Sequence, residues 1–73
     1  MNAQQVTAAI VVPAGDYTDE EKRHQWKRAD QEYARALFHR ELVGIGPAGH
    51  SSRVDDQTGE VHLTVTGWAR EAP

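Results

Sequence analysis

"SSRVDDQTGEVHLTVTGWAR" (Ser51–Arg70) decides the fold. Two runs with strand-like alternation flank Asp55-Asp56-Gln57-Thr58-Gly59, and Gly59 supplies the positive φ that a tight turn with a bulge requires. With Asp55 opposite Glu60, Val54 faces Val61, Arg53 faces His62 and Ser52 faces Leu63. Val54, Val61, Leu63 and Val65 then share one face, because side chains alternate with a period of two. A bulge at Gly67 would turn Trp68 onto that face, whereas regular pairing would leave it outward with His62, Thr64 and Thr66. The inward placement is expected, since a Trp buries a large area.

Upstream, Gln5–Val12 alternates Val6, Ala8, Ile10 and Val12 against Gln5, Thr7, Ala9 and Val11, a strand closed by Pro13 and Gly15. Thr18 stands three residues before Glu21, the spacing of a capping box that satisfies free N–H groups of a first helical turn. Asp19, Glu20 and Glu21 suit the positive end of the helix dipole. Beyond them Trp26, Ala29, Tyr33, Ala36 and Leu37 form one apolar stripe at helical spacing. The elements expected are a strand over about 5–12, a helix over about 18–43 and a hairpin over about 50–69.

These make one small α+β domain spanning 1–73, of the form β-α-β-β. Its sheet is three-stranded and mostly antiparallel, in the order 2-3-1, with one long helix on one face. The segment "LVGIGPAGHSS" (Leu42–Ser52) resembles a phosphate-cradling loop in composition only. Such loops run from a strand into a helix N-terminus, where N–H groups meet the anion; this one leaves a helix C-terminus. Gly44 or Gly46 is expected to form the left-handed helix cap, with Pro47 preventing the helix from resuming.

Seventy-three residues without cysteine allow a thin core and no disulfide framework. A basic leader and a membrane-length apolar run are both missing from the sequence, so a cytoplasmic protein without membrane attachment is expected. No catalytic group or cofactor site emerges, and no small-molecule substrate is evident. His24 and His39 stand about 22 Å apart along the helix at 1.5 Å per residue, and His50 and His62 fall on opposite sheet faces, so neither pair suggests a metal. Asp55, Asp56 and Glu60 serve the turn, and His50 with Ser51 and Ser52 shows no acid to orient it, so no enzyme is expected.

Binding is the function this architecture suggests. One helix covers one sheet face and leaves Thr7, Ala9, Val11, Arg53, His62 and Thr64 on the other, while Phe38 falls off the helix's apolar stripe. With the apolar edge of the first strand, these form a surface for a second copy, as a homodimer, or for another protein. The alternative is a nucleic-acid-binding accessory protein. Lys22–Arg40 holds six of the eight Lys and Arg residues, and His24, Arg28, Arg35, His39 and Arg40 form its basic side. The formal net charge of −3 weighs against a generally basic binder.

Overall fold

The computed structural model describes residues 2–73. Strand β1 (Gln4–Val12) leads through a short loop to helix α1 (Asp19–His39), followed by β2 (Leu42–Val54) and β3 (Val61–Glu71). All pairing is antiparallel, and β3 lies centrally in the order β1-β3-β2. At the hairpin Val54 pairs with Val61, Arg53 with His62 and Ser52 with Leu63, the expected register. Gly59 has φ 75° and its N–H donates to the Asp55 carbonyl at 2.8 Å, closing the turn.

The helix begins as the capping-box spacing requires. Thr18 Oγ1 accepts from the Glu21 N–H at 3.1 Å, and Glu21 Oε1 accepts from the Thr18 N–H at 2.9 Å. The stripe faces the sheet: Ala29 is fully buried, and Trp26, Tyr33, Ala36 and Leu37 pack around the core. One apolar cluster holds Val12, Ala29, Leu63 and Val65, the other Val6, Leu42 and Ala69, and Tyr33 packs against both. Among the described residues only Val6 and Val65 are large side chains with essentially no exposure, so the core is thin.

Two expectations fail around Leu42–Ser52. The helix stops at His39, and β2 starts at Leu42, so the glycine-rich segment is strand and not a connecting loop. The left-handed residue at the helix end is Glu41, φ 55°, and neither Gly44 nor Gly46 caps the helix. Gly46 does have φ 71°, but it lies in a bulge: Ile45 pairs with Trp68 and Gly49 with Thr66, so β2 takes four steps against two on β3. The antiparallel partner holds this segment extended despite its composition.

The third correction concerns Trp68, which is outward and 54% exposed. β1 pairs with β3 without interruption, so Gly67 and Ala69 face the helix and Trp68 faces away. Tyr33 explains why. A Cβ at Gly67 would overlap the Tyr33 hydroxyl, so the ring occupies the place of a side chain and fixes β3 in regular register.

Candidate protein-interaction surface

Strand alternation and register build the sheet face opposite α1. Its rows are Gln5, Thr7, Ala9 and Val11 on β1; His62, Thr64, Thr66, Trp68 and Arg70 on β3; and Val43, Ile45, Gly49, Ser51 and Arg53 on β2. Among the described residues no element covers it. Of the six large exposed hydrophobic side chains among the described residues, Val11, Val43, Ile45 and Trp68 lie here. Trp68 and Ile45 are direct cross-strand partners, giving an apolar centre near one end. Toward the middle, Thr7 and Thr66 link β1 to β3 through their hydroxyls at 3.2 Å. None of these face residues is a carboxylate.

Arg53 and His62 are paired on this face beside the hairpin tip. Their charges reach Asp55, whose carboxyl is held below its usual range, first by the Gln57 and Thr58 N–H groups and to a smaller extent by Arg53 and His62. Arg70 stands at the opposite end of the same face. Acidic groups gather around the tip. Residues 13–21 and 55–60, both at the end where β1 runs into α1, hold seven of the eleven carboxylates and no Lys or Arg. All eight cations lie in the rest of the chain with four carboxylates.

The molecule is long for its size, 43 × 24 × 19 Å, with a radius of gyration of 13.8 Å against about 11 Å for a compact chain of this length. Its accessible surface is 5444 Å², whereas a folded monomer of 8.1 kDa exposes about 4,500 Å². The surplus of about 900 Å² is close to the roughly 800 Å² that each partner hides in a standard interface.

Of the residues expected to bind a protein, Thr7, Ala9, Val11, Arg53, His62 and Thr64 come together on this face. Phe38 does not join them. It is 81% exposed near the C-terminal end of α1, against His39, over a hollow lined with Leu42, Ala72 and Pro73. The residues of the nucleic-acid alternative, His24, Arg28, Arg35, His39 and Arg40, are all exposed on or just after α1. Arg35 pairs with Glu32 at 3.7 Å, and the Arg40 guanidinium donates to the Gln4 side chain at the start of β1.

Three surface residues escaped the sequence reading: Val43, placed at the end of the helix, Ile45, assigned to the loop after it, and Trp68, assigned to the core. An acid beside His50 escaped too. Asp30 on α1 meets His50 Nε2 at 2.7 Å, and the Trp26 ring stands edge-on to the imidazole at 5.4 Å. This cluster ties α1 to β2 on the helix side, opposite the face that carries His62. Among the described residues no three His, Cys, Asp or Glu side chains are grouped to hold a metal, and no helix is long and apolar enough to cross a membrane. Comparison with family models, curated proteins and solved structures gives no match.

Proposed function

We propose that this protein is a small non-enzymatic association module, whose open sheet face and adjoining β1 edge are covered by a second copy of the chain. The observation that carries the proposal is the uncovered face itself, with Trp68, Ile45, Val43 and Val11 exposed together. The surplus of accessible surface fits one partner's share of an interface, and the thin core leaves stability to be gained by covering it. The β1 edge offers nine residues in unbroken register with neither Gly nor Pro, so it can accept a strand alongside the covered face.

Sedimentation equilibrium tests this. A dimer is expected at micromolar concentration, with Trp68→Glu shifting it to monomer while the far-UV circular dichroism stays unchanged. A wild-type chain that remains monomeric at high micromolar concentration refutes it.

The nucleic-acid reading is favoured by one observation, the exposure of His24, Arg28, Arg35 and His39 on the helix, clear of the sheet. It predicts DNA or RNA binding that falls steeply with salt and is lost in Arg28→Ala/Arg35→Ala. Binding that is absent or insensitive to salt rules it out.

A further inference from the structure

We infer that the second copy lies antiparallel on the open face, the acidic hairpin tip of each chain over the Arg70 end of the other. The inference rests on the self-association proposed above and adds its orientation. One end of the 43 Å axis is net acidic: residues 13–21 and 55–60 hold seven carboxylates, against Lys22, Arg23 and Arg53 beside them. In a parallel stack these two tips would oppose each other, and like charges across an interface disfavour that arrangement. In an antiparallel stack each tip meets the opposite end, where Arg70 stands on the open face; Glu71 beside it alternates to the helix side and Glu41 precedes β2, so that end is not net acidic as the tip is.

The sheet fixes where a twofold axis would pass. Glu60, one residue before β3, and Arg70, one residue before its end, have Val65 as their midpoint, and its outward neighbours are Thr64 and Thr66. An axis between those threonines places Arg70 of each chain opposite the other's Glu60, and Trp68 opposite the other's His62. Around that centre the face carries only small side chains, Thr64, Thr66, Thr7 and Ala9, which let two sheets approach to about 10 Å. Arg70 pairs across the ladder with Val43 and so has no acidic cross-strand neighbour there.

Charge reversal with rescue, read by sedimentation, tests the pairing. Arg70→Glu and Glu60→Arg should each weaken the dimer by about tenfold, and the double variant should recover most of that loss. Orientation is read separately. The chain has no cysteine, so Gln57→Cys carries a single spin label at the hairpin tip. Electron–electron distance measurement should give a separation on the order of 50 Å for antiparallel chains and below about 20 Å for parallel ones, at about 3.3 Å per strand residue. A dimer with the short distance overturns the orientation and leaves the association standing. A long distance with no response to either charge reversal also overturns the stacked pairing, in favour of β1-to-β1 edge pairing. A monomer at high micromolar concentration overturns the association and this inference together.

Discussion

The two faces of β3 are made by the same eleven residues and have opposite fates. Facing the helix, Leu63, Val65, Gly67 and Ala69 are all buried; facing away, His62, Thr64 and Thr66 are half-buried and Trp68 is largely exposed. The larger side chain sits on the open side, and a glycine sits under the helix because Tyr33 fills its place. Folding is therefore decided on one face with small and branched residues, and the bulk of the other stays exposed. Hydrophobicity alone would have assigned them the other way.

The comparison is sharpest in truncations. Leu63→Ala should cost about 3 kcal/mol in urea denaturation at fixed protein concentration, because it opens a cavity in the cluster with Val12, Ala29 and Val65. Trp68→Ala should instead leave unfolding of the dilute monomer within about 0.5 kcal/mol and abolish any dependence of the melting temperature on protein concentration. Equal destabilisation by both would break the comparison.

Glycines supply the next pair. Gly67→Ala on the helix side should cost about 2 kcal/mol through overlap with Tyr33, with Tyr33→Phe in the same chain relieving part of it. Gly49→Ala on the open side meets only the Thr66 carbonyl oxygen, at 3.7 Å, and should be neutral by the same melt. Within the β2 bulge, Gly46→Ala should cost about 1 kcal/mol because its φ is 71°, whereas Gly44→Ala should not.

The smallest effect belongs to the acidic end that both faces share. Glu21 is held below its usual range first by the Thr18 N–H and then by the Thr18 side chain, and Asp55 chiefly by the Gln57 and Thr58 N–H groups. A carboxyl with a lowered folded-state pKa binds its proton more readily in the unfolded chain. Its contribution is thus present above the unfolded value and lost as pH falls through the folded one. The urea midpoint should decline modestly as the solution is acidified through the carboxylate range, and Glu21→Gln should flatten part of that decline.

Where signals were local, the sequence was readable: the Thr18–Glu21 box, the alternation of β1 and the Asp55–Gly59 turn each act within a few residues. The turn alone set the register of Ser52 to Val54 against Val61 to Leu63. What escaped depends on distant partners. "LVGIGPAG" is a strand only because β3 pairs with it, and two extra residues at Gly46–Ala48 disguise its alternation. Trp68 is outward because a tyrosine thirty-five positions earlier occupies the Gly67 slot. His50 meets Asp30 only once helix and sheet have packed, so their order in the sequence gives no hint of it. Thr7, Ala9, Val11, Arg53, His62 and Thr64 were legible as one surface because alternation and the hairpin register place them there; Phe38 was not, since its surroundings depend on where the helix ends.

The length of the molecule changes what its net charge means. At physiological ionic strength charges fade over about 8 Å, a small fraction of the 43 Å between the ends. An approaching molecule therefore never meets a body of charge −3. It meets either the net-acidic hairpin end or a remainder in which cations and carboxylates are interspersed, and which one depends on the direction of approach. Encounter rates should follow that local charge more closely than the total.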